Sequence, residues 1–271
     1  MMLRRLIMGK RRNGYPIKLE KWYERQICKL VRIWQKDASD MLVSYLKPYV
    51  VGGTKVLTDA ANDDPNWHDG VQQALKLFAM QMDTEKDEQT IESIVKRWLI
   101  TVDNFSKTKA EKYTSAAKVE IGTVGLNPLN DNPTLQNYTK SKIAENTSLI
   151  KTMKRRYTDQ LQNDIYRTVM NGGGVTDISH AINYRTGMSL RHAGLIAVDQ
   201  TGKALSQLDA YRSKQAGFTK YIWRSMGDGR VRPKHQDLDG QTFKYNDSSG
   251  GDNGQLPGEP IRCRCYAEPV E

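Results

Sequence analysis

Eight apolar or aromatic residues near the N-terminus recur at helical spacing: Leu19, Tyr23, Ile27, Leu30, Trp34, Ala38, Met41 and Tyr45, separated by 4, 4, 3, 4, 4, 3 and 4 positions. Steps of three and four place side chains on one face of an α-helix, close to a heptad seam. Such a stripe has to be covered, and two covers are open to it. It can form part of the chain's own core, or its aromatic members Tyr23, Trp34 and Tyr45 can dock on another helical surface. Pro48 and Gly52-Gly53 predict its end.

Further helices follow from the same periodicity. Val71, Ala74, Leu75 and Phe78 predict a short one; Ile91, Ile94, Val95, Trp98, Val102 and Phe105 predict another, reaching to about Lys118. GLNPLNDNP, residues 125–133, is the clearest break in the chain. Beyond it, residues 134–144 suit a short helix, and Ile150, Met153, Tyr157, Leu161, Ile165 and Val169 mark a strong one that stops at Gly172–Gly174. That glycine run follows a helix and leads into no Gly-Lys-Ser/Thr, so it is a helix stop and not a phosphate loop. Thr176 is placed as the N-cap of a short helix with Ile178 and Ile182, and Ser189 as the cap of another ending near Ala216, with Gly217 at its C′ position.

After Gly217 the character changes. Phe218, Tyr221 and Trp223 read as a strand, residues 226–260 hold seven glycines with little periodicity, and residues 261–267 are a short strand candidate. The expected fold is mainly α: a long-helix body, then a helical region followed by a small β, loop-rich C-terminal module, α+β in character. The expected organisation is a basic arm over residues 1–15, an N-terminal helical region over 16–124, a second helical region over 134–217 and the small module over 218–271.

Charge is distributed unevenly. The 271 residues carry 41 Lys and Arg against 31 Asp and Glu, a net charge of +10. Eleven basic residues (Arg4, Arg5, Lys10, Arg11, Arg12, Lys18, Lys21, Arg25, Lys29, Arg32 and Lys36) face two acids (Glu20 and Glu24) in the first 36 positions, so +9 of the excess lies there. This is the electrostatic footprint of contact with a polyanion or an acidic surface, or else a solvated basic face. No run of 18 apolar residues occurs, which argues against a transmembrane helix. The basic start lacks the apolar stretch of a secretory signal.

Three cysteines in a long chain do not make a disulfide framework. Cys263 and Cys265 form a C-x-C pair, and on a strand residues two apart share a face. Both sulfurs can then reach one ion, whereas an i,i+2 disulfide is strained. His235 offers an imidazole nitrogen, and Asp228, Asp237 and Asp239 offer oxygens. One histidine, two thiolates and a fourth ligand, Asp228 or a water, suit tetrahedral zinc. A metal also explains how so glycine-rich and polar a segment folds. The metal-free alternative makes the thiols small buried hydrophobes and lets Asp228-Gly229 and Asp239-Gly240 serve only as turns.

The same residues carry a resemblance. Trp223, then Asp228, Arg230, Val231, Arg232, Pro233 and His235, then Leu238-Asp239-Gly240, Pro257-Gly258 and Cys263-Arg264-Cys265, resemble the phage Mu F-like family of minor head proteins, also called phage head morphogenesis proteins. Upstream, VTDISHAI and SLRHAGLIAVDQTGKALSQLDAYRSKQAGF follow the family's layout, so the resemblance covers roughly residues 148–271. It implies a structural, non-enzymatic protein of the virion, in the head interior or at the portal vertex, present in the host cytoplasm during assembly. Its partners would be the portal protein and packaged double-stranded DNA, and it would act in head assembly and in DNA packaging or delivery, with no membrane anchor and no small-molecule substrate.

Two other classes stay open at this stage. A metal-dependent nuclease would use His235 with a nearby aspartate, and an open coordination position would favour it over a closed four-ligand site. A general nucleic-acid-binding protein would rest on the arm alone. In the family reading Arg4, Arg5, Lys10, Arg11 and Arg12 contact DNA phosphates. Removing residues 1–15 is then expected to weaken duplex DNA binding and flatten its salt dependence, measured by fluorescence anisotropy across a salt titration; unchanged affinity at every salt concentration contradicts the DNA role.

Overall fold

The computed structural model describes residues 14–50, 66–83, 85–117 and 133–270. The five arm cations Arg4, Arg5, Lys10, Arg11 and Arg12, and residues 125–132 of the expected break, lie outside them.

The order of elements is α1 (Ile17–Leu46), a single 3-10 turn (Lys47–Tyr49), α2 (Trp67–Met82), α3 (Glu85–Ala117), α4 (Pro133–Met170), α5 (Val175–Gln215), β1 (Lys220–Arg224), the short α6 (Pro233–Asp237), β2 (Thr242–Lys244) and β3 (Tyr266–Val270). The fold is therefore mainly α with one small antiparallel sheet, of order β2-β1-β3. In it Tyr221 pairs with Phe243 on one side and Pro269 on the other.

The long N-terminal helix forms, but its buried stripe drifts. Tyr23, Ile27, Leu30, Val31, Trp34 and Ala38 are buried, and after them Leu42 and Leu46 take the inner positions in place of Met41 and Tyr45. A straight helix turns once in 3.6 residues, so a 3.5-residue stripe slips sideways over its length. Tyr45 stays at the surface and donates to Gln81 Oε1 at 2.5 Å. Trp34 and Tyr23 belong to the chain's own core, which is the first of the two covers open to the stripe.

Two expected helix breaks do not occur. Residues 134–144 and the strong helix after them form one continuous α4. Thr176 is not a cap: α5 begins at Val175, and the Asp177 carboxylate reaches back to accept from the Gly174 N–H at 2.9 Å. Ser189 does not start a new helix either. α5 runs straight through Gly187 and Ser189, because Ile182, Thr186, Ser189, Ala193 and Ile196 continue the buried face at steps of four, three, four and three. Burial along that face outweighs the weak local signals of one glycine and one serine.

By internal contacts the chain divides into two units: Met1–Glu24 with Ile94–Asn146 and Leu195–Glu271, and Arg25–Ser93 with Thr147–Gly194. The second unit has an apolar core that includes Trp34, Phe78, Leu161 and Ile178. Its buried Trp34 and Tyr157 rings lie 6.5 Å apart, and Asp164 takes both ends of the Arg185 guanidinium fork.

The first unit combines ring stacking with buried polar links. Tyr23 stacks on Trp98 at 4.6 Å, the Trp98 indole donates to Thr201 Oγ1 at 3.0 Å, and the Tyr23 hydroxyl donates to Asn146 Oδ1 at 3.2 Å. Arg212 donates to the Asp103 carboxylate at 2.5 Å, and Asp209 accepts from Ser106 and Lys109, both at 2.6 Å. These bonds fix the second half of α5, and the C-terminal module is laid down from its end. The Phe218 N–H donates to the Ser213 carbonyl and the Gly217 N–H to that of Lys214, both at 3.0 Å, with Gly217 at φ +88°. This is the Schellman closure expected of a C′ glycine. Phe218, Tyr221, Trp223, Tyr245, Cys263, Cys265 and Ala267 then form the module's small core together with Ala210 of α5.

The module presses close to α5 at one point. A Cβ on Gly202 would lie 2.7 Å from the carbonyl oxygens of both Cys263 and Gly258. Gly202→Ala is accordingly expected to destabilise the protein by about 1–3 kcal/mol, as overpacking against backbone does. Urea denaturation followed by tryptophan fluorescence measures this. A change within about 0.5 kcal/mol, the range of an ordinary surface substitution, contradicts the close approach.

Candidate metal centre

The cysteines reach their site by a route the sequence pattern does not predict. They do not lie on a strand: β3 begins at Tyr266, immediately after them. They sit in a turn closed by the Cys263 N–H donating to the Pro260 carbonyl at 3.0 Å, with Arg262 in the left-handed region at φ 57°. The expected shared face is nevertheless realised. Both sulfurs point to His235, while the side chain of Arg264 between them goes the other way. Its Nε donates to Glu20 Oε2 at 2.6 Å and its NH2 group to Glu20 Oε1 at 2.8 Å. Glu20 is wholly buried and also accepts from the Tyr15 hydroxyl at 2.9 Å.

His235 is supplied by α6. Pro233 sits in the first turn of this helix, where a missing N–H costs nothing. The imidazole packs edge-on to the buried Trp223 ring, with centroids 5.1 Å apart. Its Nδ1 lies 3.5 Å from Cys263 Sγ and 3.6 Å from Cys265 Sγ. All three ligand atoms fall within 4.8 Å of one another, and all three residues are buried. Tetrahedral zinc, at about 2.3 Å from sulfur and about 2.0–2.1 Å from nitrogen, sets N and S about 3.5 Å apart. The near-equal approach of one ring nitrogen to two sulfurs fits that geometry.

The far side of the ring carries the support a metal-bound histidine needs. Nε2 lies 3.0 Å from Asp252 Oδ2, so a protonated Nε2 faces a carboxylate and Nδ1 keeps its lone pair for an ion. Asp252 is held charged by the Lys234 ammonium and by His235, which keep its carboxyl below the usual range against the opposing effect of burial. Sequence reading missed Asp252. Its Asp-Asn-Gly setting looks like a turn, and only the fold brings it against a histidine 17 residues upstream.

The thiols are electrostatically unequal. Hydrogen bonding from the Cys265 thiol, from the N–H groups of Cys265 and Gly258, and the nearby His235 bring Cys263 down to about 6, against the effect of burial. The same pairing with Cys263, together with burial, pushes Cys265 up. One thiolate is thus ready near neutral pH, and a second buried negative charge beside it needs a cation.

Asp228 stands apart from the three-residue group. It lines the same small pocket, but its carboxylate is committed to Arg230. Oδ2 accepts from Nε at 3.1 Å and from the NH2 group at 2.6 Å, and Oδ1 accepts from the Arg230 backbone N–H at 3.1 Å. These bonds hold its carboxyl below the usual range despite partial burial. Asp239 accepts from the Ser225 N–H at 2.9 Å and ties β1 to the following turn. Asp237 closes α6, its carbonyl accepting from the Gln241 side chain at 2.6 Å. Among the described residues the structure therefore brings together His235, Cys263 and Cys265. Asp252→Asn is expected to weaken metal binding at these three residues by roughly 10–100-fold, the usual effect of losing a carboxylate behind a ligating histidine. Competition with a chromogenic chelator measures it, and unchanged affinity contradicts the role given to Asp252.

Residues 159–268 match the model of the family described as phage Mu protein F like protein. An uncharacterized protein of Haemophilus influenzae is 26% identical over 264 residues, which is 96% of this chain and 56% of that protein. The chain thus spans about half the length of the curated relative it matches. No solved structure matches. Among the described residues, no helix is long and apolar enough to cross a membrane. The matched segment contains the whole of α5, β1 and β2, β3 as far as Glu268, and every residue of the histidine–cysteine group. Over residues 159–268 the chain is similar to the family described as phage Mu protein F like protein.

Proposed function

We propose that the chain is a structural minor head protein of a tailed phage, associated with the portal vertex. It acts there in head assembly and in packaging or delivery of DNA. The observation that carries this reading is the family match over residues 159–268, which includes the part of the C-terminal module that holds His235, Cys263 and Cys265. In this reading the basic arm, with Arg4, Arg5, Lys10, Arg11 and Arg12, neutralises phosphates of packaged duplex DNA, and the chain enters the head from the host cytoplasm.

The metal in this proposal is a single zinc ion with a structural role. The support is chemical: two thiolates and an imidazole nitrogen form a soft donor set that suits zinc. The cluster also anchors a segment from Met226 to Pro260 that has few apolar residues to bury. Zinc binding would supply folding free energy that this segment cannot draw from a core.

One observation favours a second reading. Only three ligands converge among the described residues, and three protein ligands with an open position is the arrangement of catalytic zinc. A metal-bound hydroxide would then make the protein a nuclease. The carboxylate on the pocket wall, Asp228, is held by Arg230 and is poorly placed to act as a general base.

Incorporation into heads tests the main reading. Purified heads from cells expressing the phage structural genes should contain the chain at low copy, and Cys263→Ser should reduce that amount by about tenfold or more, as expected when a structural site is lost and the module unfolds. Quantitative mass spectrometry of the heads makes the measurement. Absence of the wild-type chain from heads, or cleavage of plasmid DNA by the purified zinc-loaded protein, contradicts a purely structural role.

A further inference from the structure

We propose that the fourth coordination position of the His235–Cys263–Cys265 centre is an exchangeable site for a phosphoryl oxyanion, gripped from outside by Arg232 and Arg262. This rests on the metal reading above and adds the ligand that completes the site.

The space beside the three ligands is small, about 30 Å³. It admits an ion and one further ligand atom, not an organic cofactor. Besides the ligands its wall carries Asp228 and four arginines: Arg230, Arg232, Arg262 and Arg264. Two of these have acidic partners, Arg264 in the buried Glu20 and Arg230 in Asp228. The other two do not. Arg232 donates to the neutral carbonyl of Ile261, and Arg262 pairs with no acid among the described residues. Both are exposed. A divalent ion with two thiolates is neutral overall, so the two uncompensated guanidinium groups set the charge at the mouth. That charge calls for an anion.

The chemistry narrows which anion. Asp228, the carboxylate in the pocket lining, already has both oxygens engaged by Arg230. A phosphoryl group has enough oxygens to give one to the metal and still receive planar N–H donors from two guanidinium groups, a pairing for which arginine is well shaped. A carboxylate, with two oxygens, serves the metal and one arginine at most.

Backbone geometry points to the same place. Among the described residues the non-glycine positions with positive φ are Asn253, at 56°, and Arg262, at 57°. The first adjoins Asp252 behind His235, and the second adjoins Cys263. Strain of this kind tends to gather where a site has to be held in shape. Here it places an arginine directly beside a thiolate ligand.

The full chain loaded with Co²⁺, with excess metal removed by gel filtration, provides the test. Thiolate-bound cobalt absorbs in the visible range and reports the identity of its fourth ligand. Inorganic phosphate should shift the spectrum saturably. Arg232→Gln with Arg262→Gln should weaken that response by about tenfold, the scale of losing two charge-assisted contacts, without loss of cobalt. A response to inorganic phosphate that an oligonucleotide does not match identifies free phosphate as the ligand. A stronger response to a 5′-phosphorylated oligonucleotide than to its unphosphorylated counterpart identifies a nucleic-acid end. A cobalt–thiolate spectrum that phosphate leaves unmoved overturns the proposal while the metal reading stands. So does a spectrum that changes with Asp228→Asn, because Asp228 would then be the fourth ligand. Absence of any cobalt–thiolate absorption overturns the metal reading, and the proposal with it.

Discussion

A single buried carboxylate, Glu20, ties the beginning of the described chain to its end. It lies one turn into α1, has no exposed surface, and takes both nitrogens of the Arg264 fork together with the Tyr15 hydroxyl. Arg264 sits between Cys263 and Cys265. Its side chain goes to Glu20, while those of Cys263 and Cys265 go the opposite way, to His235. Removing one partner of such a pair strands a buried charge, typically at a cost of about 3–5 kcal/mol. The link therefore orients the thiols as well as joining the N-terminal helix to the C-terminal module.

The module that this link positions has little else to hold it. Its sheet has three strands, one of them only three residues long, and its core is a handful of aromatic rings around Trp223. An assembly of that size is marginal in water without further support. Support comes from three directions: α5, approached at Gly202 without room for a side chain; the pair between Glu20 and Arg264; and the convergence of two thiols on one imidazole. The first two can act as soon as the helices pack. The third acquires its full strength only when a cation lies among the donors, because one buried thiolate resists the formation of a second beside it.

Much of this was legible in the sequence, and the failures have physical causes. The helices were legible because apolar periodicity is a local property. The merging of predicted pairs into the single helices α4 and α5 was not, because continuity through Gly187 and Ser189 depends on what the inner face packs against. The drift of the α1 stripe from Met41 and Tyr45 to Leu42 and Leu46 follows from the 3.6-residue turn, which a count of threes and fours conceals. His235, Cys263 and Cys265 could be named from donor chemistry and spacing alone. Asp228 could not be separated from Asp252 as the acid that matters, because both stand beside turn glycines and only the fold shows which one faces the imidazole. Glu20 gave no signal either: a glutamate in the first turn of a helix usually interacts with solvent and the helix dipole.

The match over residues 159–268, the donor geometry and the anchoring by Glu20 meet in one claim, that the C-terminal module of this chain is built around a bound metal ion. Elemental analysis of the full chain, purified without chelator, tests this most directly. The account predicts about one equivalent of zinc per chain, since a structural site with typical zinc affinity stays filled through purification. Less than about a tenth of an equivalent, with the module still folded by near-ultraviolet circular dichroism, would contradict it, because a tight structural site would have kept its ion.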